Sequence, residues 1–186
     1  MIEEKNTEVT TIIAETELKK GYKKTKLGWI PDSWSVKRID SIAKTSAGGT
    51  PSTRVKAYWN GNVLWMNSGD LNKKIINEVE GRITEIGLKE SSAKLVPINS
   101  VLVGLAGQGK TRGTAAINKV ELSTNQSVAF IVPNSDLVYY KYLYFNIDSR
   151  YEELRRLSTG DGGRGGLNLK LINGFKIYIP SKVEQK

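Results

Sequence analysis

The chain has 186 residues, of which 28 are basic and 19 acidic, for a formal net charge of +9, and it contains neither cysteine nor histidine. This composition excludes disulfides, metal sites built on cysteine or histidine, and acid–base chemistry that depends on histidine. The positive charge is typical of proteins that bind a polyanion, most often nucleic acid, and no apolar run reaches the ~18–20 residues of a membrane span, so a cytoplasmic location is expected.

The N-terminal stretch differs in charge from the residues that follow it. Residues 1–20 carry five acidic and three basic side chains, whereas residues 21–60 carry two acidic and eight basic ones. Apolar residues at Val9, Ile12, Ile13 and Leu18 have the spacing of one short amphipathic helix. We therefore predict an acidic, helical leader over residues 1–21, followed by a single domain over residues 22–186.

Apolar patterning divides residues 22–186 into short strands and two helices. One helix is predicted from residue 84 to about 95, with Thr84 as its N-cap, and the other over residues 136–157 with a break near residue 148. Because strands and helices mix without a repeating βαβ order, we expect an α+β fold with a twisted mixed sheet, flanking helices and long glycine-rich loops. Strands are predicted at residues 63–66, 100–103, 115–117, 128–132 and 175–179, a strand or short helix at 34–39, and turns at 28–32 and 67–70.

The segment from Gly104 to Thr111 matches the phosphate-binding pattern G-x-x-x-x-G-K-[ST] and follows a predicted strand. In a nucleotide-binding enzyme this loop must open into a helix whose N-terminus faces the phosphates. The next residues, Arg-Gly-Thr-Ala-Ala-Ile, make a poor first helical turn and favour a strand. A P-loop-type nucleotide-binding enzyme is therefore kept as the alternative function, and a basic glycine hairpin is preferred.

A basic glycine hairpin at this position suits a nucleic acid. Lysine and arginine match phosphates and guanine edges, glutamine matches adenine edges, and glycine lets a backbone approach a groove closely. We predict base-edge contacts for Gln108 and Arg112, and phosphate contacts for Lys110 and for Arg54 of the loop after residue 52. A solvated hairpin without a ligand is the alternative interpretation.

A second glycine-rich segment, residues 159–168, contains five glycines and one arginine, Arg164. Its composition fits a linker between two elements and equally fits a loop that closes on a ligand backbone. With this segment included, the candidate DNA-binding residues lie in three loops marked by glycine or proline. They are Arg54, Gln108, Lys110, Thr111, Arg112 and Arg164.

The pattern of polar and aromatic residues indicates no catalytic or metal-binding constellation. The carboxylates at Asp136, Glu152 and Glu153 are scattered and have no evident acid–base partner. The tryptophans and the tyrosines of residues 139–144 are expected to pack in the core or on helix faces, and Asp70 is expected to cap a turn. We therefore predict no catalytic residue, no metal site and no cofactor bound by this chain.

Several short motifs resemble the target recognition domain of type I restriction-modification DNA specificity subunits. They occur in the family's order from about residue 22 to the last residue, and Gly-Gly-Thr-Pro-Ser followed by Thr-Asn-Gln is the most specific combination. The segments that carry the resemblance are Gly28-Trp29 with Pro31 and Trp34, residues 48–52, Trp65 with residues 68–70, the glycine hairpin before residues 115–117, residues 124–126, Leu167-Asn168, Ile179-Pro180 and Glu184-Gln185.

The resemblance implies a non-catalytic module that reads one half of a bipartite double-stranded DNA site. It further implies methyltransferase subunits, which hold S-adenosylmethionine, and restriction subunits as partners. The chain carries one recognition domain and stops where the family's long helix is expected to begin, so a half-subunit, a truncated product and a fragment all remain open. The resemblance supplies no base-contacting residues.

An RNA-binding domain is the least favoured of the three functions considered, because the aromatic basic motifs of common RNA-binding sheets are absent.

Overall fold

The computed structural model describes residues 20–107, 109–158 and 166–186. The chain divides into two units, Met1–Ser35 and Val36–Lys186. The leader predicted over residues 1–21 lies outside the described residues except for its last two positions, which form a turn.

The described part of the first unit contains a β-hairpin. Strand β1 (Tyr22–Thr25) pairs antiparallel with β2 (Gly28–Pro31), with Thr25 opposite Gly28. Gly28 has a φ of 105° at the turn, where a side chain would be strained. The turn predicted over residues 28–32 was therefore misplaced, because Gly28 closes the hairpin and the residues after it continue as a strand.

The second unit contains most of the secondary structure, and β3 begins at its boundary. Short 3-10 helices cover Ile39–Ser41, Lys56–Tyr58 and Ser68–Lys73. The α-helices are α1 (Glu85–Lys89), α2 (Tyr140–Asp148), α3 (Tyr151–Leu157) and α4 (Leu169–Gly174). The strands are β3 (Ser35–Arg38), β4 (Ala43–Ala47), β5 (Trp59–Met66), β6 (Ile75–Ile76), β7 (Arg82–Ile83), β8 (Leu95–Val96), β9 (Val101–Gly104), β10 (Ala115–Asn118), β11 (Leu122–Thr124), β12 (Val128–Pro133) and β13 (Lys176–Ile179).

Two mixed sheets form the framework of this unit. A five-stranded sheet has the order β4-β12-β9-β10-β6, in which the β10–β6 pair is parallel and the other pairs are antiparallel. A four-stranded sheet has the order β7-β5-β11-β8, in which only β5 and β11 are parallel. Strand β13 pairs with β3. The predicted α+β class is confirmed.

The five-stranded sheet separates two hydrophobic cores, because successive side chains of a strand point to opposite faces. Val101, Val103, Ala129 and Ile131 lie in the core that contains the helices. Leu102, Val128 and Phe130 alternate with them and lie in the other core. The helix-side core also contains Leu143, Ile147, Leu154 and Ile172, and the opposite core contains Met66, Leu71, Ile76, Val79, Val96 and Leu122.

The helices agree with the predicted patterns in type but not always in length. Thr84 caps α1 as expected, since its hydroxyl accepts a hydrogen bond from the Gly87 amide at 3.0 Å. The helix ends at Lys89 rather than near residue 95, because Leu95 and Val96 pair with β11 instead. The predicted break near residue 148 is confirmed by the separation of α2 from α3. Within the described residues, no helix is long and apolar enough to cross a membrane.

Shortening a core side chain on β12 should destabilise the fold far more than shortening an exposed one. Ile131 is fully buried, whereas Ile86 on α1 is 59% exposed. We expect Ile131→Ala to lower the free energy of unfolding by about 2–5 kcal/mol and Ile86→Ala to change it by less than about 0.5 kcal/mol. Chemical denaturation of both variants measures the difference, and equal midpoints would contradict the assigned core.

Candidate functional site

Several loops meet at one end of the five-stranded sheet. In the pairing register, Ala47 lies opposite Ala129, Gly104 opposite Val128, and Ala115 opposite Val103. Strands β4 and β9 therefore end where β10 and β12 begin. We call this edge the loop end; residues 48–55, 104–114 and 125–127 extend from it.

The turn at residues 124–127 joins the loops on either side. The Gly49 amide donates to the Thr124 carbonyl at 2.8 Å, and the Leu105 amide donates to the Ser127 carbonyl at 2.8 Å. The Asn125 side chain accepts from the Ser127 amide at 3.1 Å and holds the turn itself. This turn pins the backbone between two strands and links the loop of residues 48–55 to the hairpin that follows β9.

Two tryptophans hold the loop of residues 48–55 through hydrogen bonds to its backbone. The Trp65 indole N–H donates to the Gly49 carbonyl at 3.1 Å, and that of Trp59 donates to the Ser52 carbonyl at 3.1 Å. Their rings meet edge to face with centroids 5.3 Å apart. These tryptophans are half-buried on β5 and belong to neither hydrophobic core, so the predicted core or helix-face position is wrong for them. They hold the loop instead, and the loop presents Arg54 as an exposed side chain.

Residues 104–107 and 109–114 belong to the glycine hairpin that joins β9 to β10. The Gly104 amide donates to the Thr114 carbonyl at 3.0 Å, and the Gly113 amide donates back to the Gly104 carbonyl at 2.9 Å. Gly107, Gly109 and Gly113 have φ values of 122°, 73° and 85°, a backbone region in which other residues are strained. The repeated glycines therefore serve the curvature of the hairpin.

The hairpin geometry does not support the P-loop alternative. After Thr111 the described chain turns and continues as β10, which starts at Ala115 and pairs antiparallel with β9. A phosphate-binding loop needs a helix N-terminus at this position, where backbone N–H groups and the helix dipole face the phosphates. The match to the nucleotide-binding pattern is thus one of residue spacing and not of structure.

The six predicted site residues differ in exposure, and two of them are not described by the structure. Lys110 is exposed near the hairpin tip, and Thr111 and Arg112 are half-buried beside it. Gln108 and Arg164 lie outside the described residues. The Leu167 amide, near the end of the second glycine-rich segment, donates to the Leu105 carbonyl at 3.0 Å, so this end of the segment lies next to the hairpin.

Two lysines just before β6 are paired with acidic residues. Lys73 lies 3.1 Å from Asp70, and Lys74 lies 2.7 Å from Asp148. Asp70 also completes the predicted cap: its carboxylate accepts from the Asn67 amide at 3.2 Å. Within the described residues, Arg54 and Lys110 form no such ion pair.

Two residues outside the six predicted site residues hold the hairpin from α3. The Tyr151 hydroxyl donates to the Lys110 carbonyl at 3.1 Å, and the Arg155 guanidinium donates to the Tyr151 hydroxyl at 2.7 Å and to the Gly109 carbonyl. They are four residues apart and so lie on one face of the helix. That spacing was visible in the sequence, but the contact with a hairpin more than forty residues away was not.

The opposite end of the five-stranded sheet has a different chemistry. An open cavity of about 520 Å³ lies there between the start of β4 and the end of β12. At this end the Lys119 ammonium donates a hydrogen bond to the Tyr140 hydroxyl at 3.0 Å, and this bond lowers the pKa of Tyr140. The described residues contain no group of three acidic side chains suited to hold a metal ion.

Comparison with known proteins finds a protein family and a relative that this chain resembles. The profile of the family described as type I restriction modification DNA specificity domain matches residues 31–186. The specificity subunit of the type I restriction enzyme MjaIX from Methanocaldococcus jannaschii is 36% identical over 171 residues, which is 89% of this chain and 38% of that protein. The chain thus spans about two fifths of the length of this relative.

Solved structures share the fold at low sequence identity. The HsdS subunit from Thermoanaerobacter tengcongensis has a TM-score of 0.64 at 15% identity and covers 99% of this chain, which covers 42% of it. A chain from a study of complex assembly and conformational transition of the type I R-M system has a TM-score of 0.66 at 15% identity, with coverages of 99% and 43%. At these identities the likeness concerns the fold alone.

A side chain at Gly49 should disrupt the loop end. A Cβ there would lie 2.4 Å from the Ser92 carbonyl carbon and 2.6 Å from the Ala93 amide nitrogen, both backbone atoms. We expect Gly49→Ala to lower the free energy of unfolding by about 1–3 kcal/mol. Gly174→Ala is the control, since its Cβ would meet nothing closer than 3.9 Å. Thermal denaturation of both variants tests this, and equal melting temperatures would refute the close approach.

The hairpin geometry also predicts that the chain does not bind nucleotides tightly. Fluorescence titration with ATP and GTP analogues should show no micromolar binding, because Thr111 leads into a strand and offers no helix N-terminus. Micromolar binding that Lys110→Ala abolishes would contradict this prediction and restore the enzyme interpretation.

Proposed function

Because the chain belongs to the family of type I restriction modification DNA specificity domains, we propose that it is a non-catalytic module that binds double-stranded DNA sequence-specifically through its loop end. The observation that carries the proposal is the position of Lys110. Its side chain is exposed on a glycine hairpin whose backbone is held by Thr114 of the hairpin itself and by Tyr151 of α3. Loops on a rigid scaffold are where recognition residues concentrate.

The charge of the loop end supports duplex DNA as the ligand. Lys110 and Arg54 are exposed cations on two loops that the turn at residues 124–127 joins. Cations in this setting neutralise phosphates and release counterions, which supplies much of the affinity of DNA-binding proteins. We assign Lys110 and Arg54 to phosphate contacts.

Base reading is assigned to the remaining polar residues of the hairpin. Arg112 suits a guanine edge, Gln108 suits an adenine edge, and the Thr111 hydroxyl suits either a base or a phosphate. Arg164 is assigned to the same surface, because Leu167, three residues later, is hydrogen-bonded to Leu105 of the hairpin.

The proposal extends to partners beyond this chain. We propose that the module reads one half of a bipartite site and directs methyltransferase and restriction subunits to it, with S-adenosylmethionine held by the methyltransferase. The similarity to a specificity subunit of a type I restriction enzyme supports these partners. Methylation and cleavage then depend on the partners, and the complex acts on DNA in the cytoplasm.

Selection from a random duplex pool followed by titration at several salt concentrations tests the proposal. Lys110→Ala and Arg54→Ala should weaken binding to selected and scrambled duplexes alike, each lowering the salt slope by about 0.9. Arg112→Ala should cost about 1–3 kcal/mol on the selected duplex and reduce its preference over the scrambled one.

Lys44→Ala is the matched control, because Lys44 is an exposed lysine near the start of β4, away from the loop end. This variant should leave the affinity and the salt slope unchanged. The loop end is rejected as the DNA-binding surface if all three loop-end variants bind like the wild type, or if Lys44→Ala has the same effect as Lys110→Ala.

A further inference from the structure

The backbone of the glycine hairpin is anchored from outside at its tip. The Lys110 carbonyl accepts two hydrogen bonds, one from the hydroxyl of Thr114 within the hairpin at 2.5 Å and one from the hydroxyl of Tyr151 on α3 at 3.1 Å. The next carbonyl towards the N-terminus, that of Gly109, accepts from the Arg155 guanidinium. Two successive carbonyls of the tip are therefore bound by side chains of α3, to which the hairpin is not adjacent in sequence.

The two anchoring side chains also hold each other. Arg155 donates to the Tyr151 hydroxyl at 2.7 Å, and its guanidinium carbon lies 5.5 Å from the centre of the Tyr151 ring. The single hydroxyl proton of Tyr151 is directed to Lys110, while its oxygen accepts from Arg155. The Tyr151 hydroxyl thus both donates and accepts, and it links Arg155 to the hairpin.

Gly113 lets α3 approach the hairpin closely. A Cβ at this position would lie 3.3 Å from Arg155 Cγ and 3.5 Å from Tyr151 Cδ2, and the φ of 85° already disfavours a side chain. The absence of a side chain thus allows the two residues to reach the carbonyls. The same glycine pattern that gives the hairpin its curvature provides the space for its anchor.

An unanchored hairpin of this composition would be mobile. Glycine loses more backbone freedom on ordering than other residues, and a binding loop that must be ordered by its ligand loses affinity accordingly. We propose that Tyr151 and Arg155 are positioning residues for DNA recognition, which hold the hairpin in its binding conformation before DNA arrives. This inference rests on the proposed function and assigns no DNA contact to either residue.

Two charge-preserving variants of the 186-residue chain test the proposal. Tyr151→Phe removes the hydroxyl and keeps the ring. Arg155→Lys keeps the charge, but its side chain ends one bond short of the position of Nη1, the nitrogen that donates to both acceptors. Each should speed amide hydrogen exchange in peptides covering residues 105–114. Each should also weaken binding to the duplex selected from the random pool by about 2- to 13-fold, the range for one lost hydrogen bond.

The pattern of effects distinguishes positioning from direct contact and from general destabilisation. The salt slope should stay unchanged, because no phosphate contact is removed. Tyr142→Phe is the matched control: it removes a tyrosine hydroxyl that donates to the Tyr178 carbonyl at 2.8 Å, away from the hairpin. It should alter neither hairpin exchange nor DNA affinity.

Failure of the inference is separable from failure of the proposed function. If wild-type chain selects no duplex, the proposed function fails, and the positioning role fails with it. If the wild type binds its selected duplex but both variants match it in affinity, the positioning role alone is overturned, whether or not hairpin exchange has changed. A fall in the salt slope for Tyr151→Phe would also overturn it, because the residue would then act through a phosphate contact.

Discussion

The pairing of β12 with strands on both of its edges is the constraint on which the second unit depends. Backbone hydrogen bonds join it to β4 and to β9, and its side chains alternate between the two cores. A slip of one residue would move Ala129 and Ile131 to the face now occupied by Val128 and Phe130, and would exchange both cores at once. Burial on both faces therefore sets the register, and the register decides which loops meet.

The loop end is a direct consequence of that register. Because β4 and β9 run antiparallel to β12, their last residues lie beside its first residue, and the turn at residues 124–127 lies between the loops that follow. Residues about fifty positions apart in the chain are in this way placed on one surface. The exposed cations Arg54 and Lys110 are brought to this end although neither contributes to the core.

Side-chain roles at the loop end divide into those that hold the backbone and those that remain exposed. Trp59, Trp65, Tyr151 and Arg155 direct their polar atoms to backbone carbonyls of the loops. This arrangement leaves the exposed side chains on loops whose backbone is already constrained, and lowers the entropy lost when a ligand binds. Aromatic and arginine residues near a glycine-rich loop thus serve as supports here, a role that composition does not distinguish from ligand contact.

Local chemistry determined a large part of the fold from sequence alone. The cap at Thr84, the turn residue Asp70, the break between α2 and α3 and the buried strands β9, β10 and β12 follow from short-range preferences, and the structure confirms them. The rejection of a P-loop was likewise available, because the residues after Thr111 are poor helix formers. The family resemblance could also be identified from the sequence alone, because short motifs in a fixed order carry it.

What the tertiary structure decided depends on pairing between distant segments. Helix α1 stopped at Lys89, and residues 95–96 became a strand, because β11 supplies a pairing partner that a local pattern does not reveal. The anchoring of the hairpin by Tyr151 and Arg155 is decided at the same level, since it requires the fold to place α3 beside Gly113. The sequence alone determined that the chain has basic and glycine-rich loops. The packing of the sheet decided which side chains hold those loops, because hydrogen bonds between distant segments form only once the core has fixed their positions.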